Sequence, residues 1–144
     1  MKITNVEPIE YDDLLVLWEA SVRATHDFLS ESDIAYLRPI VRNQALPALT
    51  LRAARNDNGK AVGFIGVAER SVEALFVSPD EFGKGIGKAL MRHAEEQFDV
   101  SKVDINEQNP SALGFYEHLN YRIVGRSPLD AQGRPFPILH LEKS

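Results

Sequence analysis

Cysteine is absent from this chain of 144 residues. Its absence excludes disulfide bonds, a thiolate nucleophile and a zinc site held by cysteine. Basic residues are few as well, with 16 Lys and Arg against 21 Asp and Glu and a formal net charge of −5 at pH 7. This balance, without any block of Lys or Arg, argues against sequence-independent binding to nucleic acid or to an anionic membrane.

Long apolar runs are also missing. No segment approaches the roughly 20 apolar residues that a membrane-spanning helix needs. The N-terminus lacks the cationic region and apolar core of a signal peptide. We therefore expect a soluble, cytoplasmic protein, with residues 1–144 forming one domain large enough for a sizeable core.

The hydrophobic pattern predicts a mixed α/β sheet in which strands alternate with helices and a hairpin closes the chain. Helices are predicted from Tyr11 and from Ser30, and over 85–98 and 110–118, and Pro39 should kink or split the second of them. The predicted strands cover 2–7, 49–55, 61–69, 72–77, 102–106, 121–126 and 137–141.

The most informative segment is the glycine-rich turn that follows the apolar run 75–77 and opens onto a helix. With glycines at Gly83, Gly85 and Gly87, backbone N–H groups can converge on an anion at the positive end of that helix. A P-loop would need Ser or Thr where Ala89 follows Lys88, and a dinucleotide-binding turn needs a different glycine spacing. A phosphate site is the favoured reading, and a turn without a ligand is the alternative.

Further motifs follow in a fixed order, and together they resemble the GNAT superfamily of N-acetyltransferases. Shorter stretches at 24–30, 106–109, 125–127 and 133–135 resemble the small bacterial YjaB-type members of that superfamily. The residues that carry the superfamily resemblance are Leu75-Phe76-Val77-Ser78-Pro79, Gly83, Gly85, Gly87, Asn106, Asn109, Ala112, Phe115-Tyr116 and Asn120-Tyr121.

The resemblance implies a mixed, mostly antiparallel sheet that splays between its fourth and fifth strands and is flanked by about four helices. It also implies that the turn grips the pyrophosphate of acetyl-CoA, while the bulged strand before it pairs with the pantetheine arm. Phe82 departs from the family pattern, which usually has Arg or Gln there. The implied cofactor-binding residues are Leu75, Phe76, Val77, Phe82, Gly83, Lys84, Gly85, Ile86, Gly87, Lys88 and Asn109.

The match also implies roles in catalysis. Tyr116 falls at the family's general-acid position, and a phenol with a pKa of about 10 can protonate a departing thiolate. The general base is left open between Glu73 and His26. His26, Asp27 and Asn106 are the candidate contacts of the acceptor. We predict no metal site, because the histidines lack partner spacing.

These features predict an enzyme that moves an acetyl group from acetyl-CoA to a primary amine by direct attack in a ternary complex. The absence of cysteine excludes an acetyl-cysteinyl intermediate. The alternative is an acyl-CoA-binding sensor without turnover. The acceptor amine is not identified by the sequence, and either a monomer or a homodimer is expected.

Overall fold

Seven strands form one sheet in the computed structural model, which describes residues 1–144. Their order across the sheet is β1-β2-β3-β4-β5-β7-β6, and every neighbouring pair is antiparallel except β4 and β5. The mixed, mostly antiparallel sheet is confirmed. The strands are β1 (Lys2–Asn5), β2 (Thr50–Arg55), β3 (Ala61–Ala68), β4 (Ser71–Val77), β5 (Lys102–Asn106), β6 (Tyr121–Ser127) and β7 (Ile138–Lys143).

Four longer helices flank the sheet, as predicted. Pro39 does not break the second helix, but directly after it the backbone widens into a π-helical turn over Val41–Ala45. A proline lacks the N–H that an α-helical turn uses, so a change of hydrogen-bond pattern here is expected. No helix is long and apolar enough to span a membrane. The helices are α1 (Tyr11–Thr25), α2 (Glu31–Ile40), α3 (Leu46–Ala48), α4 (Ile86–Phe98) and α5 (Pro110–His118).

Two hydrophobic clusters pack on opposite faces of the sheet. One joins α4 and α5 to β3, β5 and β7 around Leu90 and Met91, and the other joins α1 and α2 to β2 and β3 around Leu14 and Phe64. Side chains alternate between the faces of a strand, which explains how neighbouring residues of β3 enter different clusters. The sheet is therefore covered on both sides.

The predicted splay lies between β4 and β5. These strands pair only at Ser71 with Lys102 and at Val72 with Val103, after which they diverge. The remaining residues of β4 thus keep one edge free of a neighbouring strand. A gap opens in the middle of an otherwise continuous sheet.

Several predicted bounds shift by a few residues. The first strand ends at Asn5 rather than at residue 7, because a short 3-10 turn begins at Pro8. The last strand runs beyond residue 141 to Lys143, whose N–H donates to the Ser101 carbonyl over 2.9 Å. The first and last residues of a strand depend on contacts with distant parts of the chain, which the hydrophobic pattern does not reveal.

Candidate active site

The glycine-rich turn forms a row of free backbone donors at the start of α4. Gly83 and Gly85 adopt φ angles of 79° and 80°, in the left-handed region that favours glycine. None of the N–H groups of residues 83–88 donates a hydrogen bond to the protein, and the first helical bond runs from Ala89 N to Gly85 O at 3.0 Å. Lys84 pairs with Glu81 at 2.9 Å, and Phe82 is exposed. This row can bind an anion.

Gly87 has a different role, which the sequence did not indicate. A methyl group at Gly87 would lie 3.3 Å from Phe115 Cζ and 4.0 Å from Val77 Cγ2. The lack of a side chain therefore lets α5 pack across the first turn of α4. As Phe115 precedes Tyr116, this contact fixes the predicted acid relative to the predicted anion site.

The free edge of β4 offers backbone groups to the gap. The Ser78 N–H donates to Val62 O at 2.9 Å, on the β3 side. Because backbone groups alternate in direction along a strand, those of Leu75 and Val77 face away from β3, toward the gap. The bulge lies earlier than expected, at Glu73, since Val72 and Ala74 pair with the consecutive residues Val67 and Gly66. The strand is regular at 75–77.

A cavity of about 540 Å³ occupies the gap between β4 and β5. Its lining contains seven of the sixteen residues that were predicted for the site, drawn from elements between His26 and Tyr116, while Phe82 and residues 83–88 lie outside it. Asp27 is outside this lining and exposed, and Val77 is outside it beside the glycine turn. The predicted residues that line the cavity are His26, Glu73, Leu75, Phe76, Asn106, Asn109 and Tyr116.

Tyr116 lies at the buried side of this cavity. Its side chain is 5% exposed and packs edge-on against Phe115 and Tyr121, with ring centroids 4.9 and 5.9 Å away. Burial raises the pKa of the phenol, so the group keeps its proton throughout the neutral range. By contrast, the hydroxyl of Tyr121 donates to Glu95 at 2.7 Å. The Tyr116 hydroxyl has no such acceptor and is available as a proton donor.

The two predicted bases differ in electrostatic setting. Burial raises the pKa of Glu73, and the negative charge of Asp104 adds to the effect. Burial lowers the pKa of His26 against the opposing charge of Asp27. Both shifts move the group toward its neutral form. For His26 the form that accepts a proton is this neutral imidazole, whereas for Glu73 it is the charged carboxylate.

Asn109 combines a structural role with its place in the lining. It is the N-cap of α5, where its side-chain oxygen accepts from Ala112 N at 3.3 Å. The cap begins the helix that carries Tyr116. The side chain is buried, so its position relative to the cavity is fixed by the start of α5.

The hairpin between β6 and β7 is held against α2. Arg134 pairs with Asp33 at 2.6 Å, and its guanidinium stacks over the Tyr36 ring at 4.5 Å. Aromatic contacts also join Phe28 of the α1–α2 loop to Phe136 of the hairpin, at 6.0 Å. These contacts tie together the loops that border the cavity. Arg134 and Phe136 contact residues that lie about 100 positions earlier in the chain, and the sequence gives no signal for such contacts.

Five further polar residues line the same cavity and were not predicted as site residues: Asp104, Ser127, Asp130, Gln132 and His140. Asp104, Ser127 and His140 lie on β5, β6 and β7 and form a continuous hydrogen-bonded group. Alternation in β5 indicated that Asp104 faces away from the core. Only the pairing of β5 with β7 reveals that it meets His140.

Comparison with known proteins shows which family this sequence and this fold match. Residues 50–123 match the family described as "Acetyltransferase (GNAT) domain". The peptidyl-lysine N-acetyltransferase YjaB of Salmonella typhimurium is 40% identical over 132 residues, which cover 92% of this chain and 90% of that protein.

Solved structures share the fold over nearly the whole chain. The solution structure of apo YjaB from Escherichia coli has a TM-score of 0.89 and 37% identity, covering 98% of this chain and 95% of that one. An N-acetyltransferase from Thermoplasma acidophilum, solved in complex with coenzyme A, has a TM-score of 0.75 at 17% identity and covers 99% and 98%.

Proposed function

Since the chain belongs to the GNAT family of N-acetyltransferases, we propose that it transfers the acetyl group of acetyl-CoA to the side-chain amine of a peptidyl lysine. The acetyltransferase relatives favour catalysis over the alternative of an acyl-CoA sensor. The lysine acceptor is taken from the names of those relatives, which cover most of the chain. The charge of the cavity supports it independently.

Acetyl-CoA as the donor is supported by the free N–H groups of residues 83–88. Backbone donors at a helix N-terminus suit a pyrophosphate, and the Thermoplasma relative with the same fold was solved with coenzyme A. Leu75 and Val77 direct backbone groups into the gap, where an extended pantetheine arm can pair with them. The N–H groups on this edge can also polarise the acetyl carbonyl oxygen.

The charge of the cavity is the observation that carries the acceptor proposal. Its lining includes the carboxylates of Glu73, Asp104 and Asp130, and it includes no Lys or Arg. A primary ammonium group is attracted to such a lining, whereas an acidic acceptor is repelled. Lysine side chains are protonated at neutral pH and long enough to enter a cavity from a peptide backbone.

The chemistry that we propose is direct attack of the amine on the thioester carbonyl. Tyr116 then donates its hydroxyl proton to the departing thiolate; its raised pKa keeps that proton in place at neutral pH, and no other group of the protein accepts it. Asn106 and His26 are our candidate contacts of the acceptor. Glu73 and His26 stay predictions as bases. Asp27 is a weaker candidate because it is exposed outside the lining.

Two peptides of equal length test the acceptor. One has an acetylated N-terminus and a free lysine side chain, and the other has a free N-terminus with the lysine replaced by arginine. We expect release of CoA thiol and a mass increase on the first peptide only. Modification of the second peptide alone would make the protein an N-terminal acetyltransferase and contradict the lysine proposal.

Calorimetry with CoA, combined with the thiol-release assay, separates catalysis from sensing. A sensor binds CoA and releases no thiol with either peptide or with small amines, and this result would contradict the enzyme proposal. We also propose that residues 1–144 act as one domain, as monomer or homodimer, since the single sheet uses strands from Lys2 to Lys143. A cytoplasmic location and independence from metal ions stay predictions.

A further inference from the structure

Asp104, His140 and Ser127 form a hydrogen-bonded chain on the wall of the cavity. Asp104 Oδ1 lies 2.7 Å from His140 Nδ1, and Ser127 Oγ lies 2.7 Å from His140 Nε2. The three residues come from three adjacent strands, β5, β7 and β6. This hydrogen-bonded triad uses both ring nitrogens of the His140 imidazole.

The orientation of this hydrogen-bonded triad follows from strand pairing. Asp104 and His140 are directly opposite each other in the β5–β7 register. Their neighbours along the two strands are buried in the core on one face, so Asp104 and His140 project from the opposite face of the sheet, where both line the cavity. These buried neighbours are Val103, Ile105, Leu139 and Leu141.

The partners determine where the imidazole proton lies. An ionised Asp104 only accepts hydrogen bonds, so Nδ1 of His140 carries a hydrogen and donates it. In the neutral ring Nε2 is then the acceptor, and it receives the hydroxyl hydrogen of Ser127. A carboxylate that holds an imidazole in this tautomer and stabilises its cation is the arrangement that makes histidine an effective proton acceptor.

We propose that His140 is the terminal proton acceptor for the attacking amine, reached through the Ser127 hydroxyl and stabilised by Asp104. The inference rests on the proposed function, since it assigns the base of that same site. Ser127 and His140 both line the cavity that Tyr116 also borders, and the half-exposed His140 can pass its proton on to solvent. Glu73 and Asp104 then serve to attract the ammonium group.

Proton transfer begins at the lysine ammonium group and ends at solvent. The lysine ammonium gives one proton to Ser127 Oγ while the Ser127 hydroxyl proton moves to His140 Nε2, leaving a neutral amine and an imidazolium. The amine nitrogen bonds to the acetyl carbon, the carbon–sulfur bond breaks, and the thiolate takes the proton of the Tyr116 hydroxyl. The second proton on nitrogen returns to Tyr116, and the imidazolium releases its proton to water.

The surroundings of His140 contain several other charges, which a pH profile must separate from it. Of these charged groups only Asp104 touches the ring, while the others lie two register pairs along the sheet or across the cavity. These groups are Lys102, Glu142 and Arg122 on the strands, and Glu73, Asp130 and His26 in the lining.

The test replaces His140 by glutamine and follows acetylation of the lysine peptide across pH. We expect kcat at pH 7 to fall by about 100-fold or more, with loss of the acid limb that a histidine produces, and an unchanged Kd for CoA. His118→Gln is the matched control, because His118 is exposed at the end of α5. It should retain the wild-type profile.

Two further measurements separate a proton acceptor from a structural residue. Added imidazole should restore part of the activity of His140→Ala, and Asp104→Asn should shift the tautomer of His140 in nitrogen NMR spectra. The proposed proton relay, from the amine through Ser127 to His140, is wrong if His140→Gln keeps kcat within about threefold of wild type. It is also wrong if Glu73→Gln or His26→Gln alone removes the acidic side of the pH–rate profile. An acetylated Ser127 found by mass spectrometry would also overturn it, because Ser127 would then be a nucleophile.

The outcomes also separate this inference from the proposed function. Failure of the wild-type protein to acetylate the lysine peptide contradicts the proposed function. Normal acetylation by His140→Gln contradicts only the relay. The NMR measurement needs no turnover: a resting His140 with its hydrogen on Nε2 would overturn the relay by itself.

Discussion

Replacement of Tyr116 by phenylalanine removes the proposed acid while leaving the ring in place. Protonation of a leaving group by a positioned side chain contributes about 10²- to 10⁴-fold, so we expect kcat to fall by about that factor. Unlike the Tyr121 hydroxyl, the Tyr116 hydroxyl makes no hydrogen bond within the protein. The unfolding free energy should therefore change by no more than about 0.5 kcal/mol.

Tyr121→Phe is the matched control. Tyr121 is 3% exposed against 5% for Tyr116, and the rings touch, but the Tyr121 hydroxyl donates to Glu95 at 2.7 Å. Its loss removes a hydrogen bond to a carboxylate, which costs about 1–2 kcal/mol of stability because Lys143 still pairs with Glu95 at 2.7 Å. Activity of the folded Tyr121→Phe variant should match wild type.

The assay combines urea unfolding, CoA calorimetry and thiol release with the lysine peptide. Acid catalysis by Tyr116 requires opposite patterns in the two variants, with activity lost in one and stability lost in the other. Wild-type kcat in a folded Tyr116→Phe variant would refute the assignment. Equal loss of kcat in both variants would refute it too, because the effect would then reflect packing of the paired rings.

Three other outcomes are expected. Gly83→Ala should lose about 1 kcal/mol of stability from its positive φ and weaken CoA binding, while Gly59→Ala, with the same φ of 79° and equally open space, should lose stability only. Phe82→Arg should tighten CoA binding about two- to fivefold by calorimetry, as an exposed charge pair contributes about 0.2–1 kcal/mol. Burial raises the pKa of Tyr116 and of Tyr121 in the folded protein, so the unfolded chain loses these protons at lower pH. The unfolding free energy measured in urea should therefore fall above about pH 10, and it should fall less steeply in Tyr116→Phe.

The backbone geometry of the proposed donor side was predictable because its signals are local. The turn, the start of α4 and the apolar end of β4 lie within about 15 residues, and turn geometry follows from the positions of glycine. Even there the sequence did not distinguish Gly87, which accommodates Phe115, from Gly83, which adopts a positive φ. The position of the bulge at Glu73 depended on the register of β3 and was also missed.

The acceptor side was predictable only in part. Its residues come from the α1–α2 loop, β5, β6 and β7, and their proximity depends on strand order rather than on spacing in the chain. His140 illustrates the problem, because a lone histidine in a strand has no signal until Asp104 is placed opposite it. Arg134 is similar, since its partner Asp33 lies about 100 positions earlier.

The proposed donor and acceptor sides of the site lie on different elements, so substitutions can affect them separately. Residues 83–85 are exposed and Gly87 packs against Phe115 of α5, whereas Asp104, Ser127 and His140 lie on strands beyond the gap. Phe115 and Tyr116 are the link, since one ring contacts the first turn of α4 and the other borders the cavity. Substitutions on β5, β6 and β7 can therefore alter acceptor kinetics without changing CoA affinity, while a change that moves Phe115 affects both sides. In the proposed mechanism, the geometry of α5 therefore couples CoA binding to proton transfer.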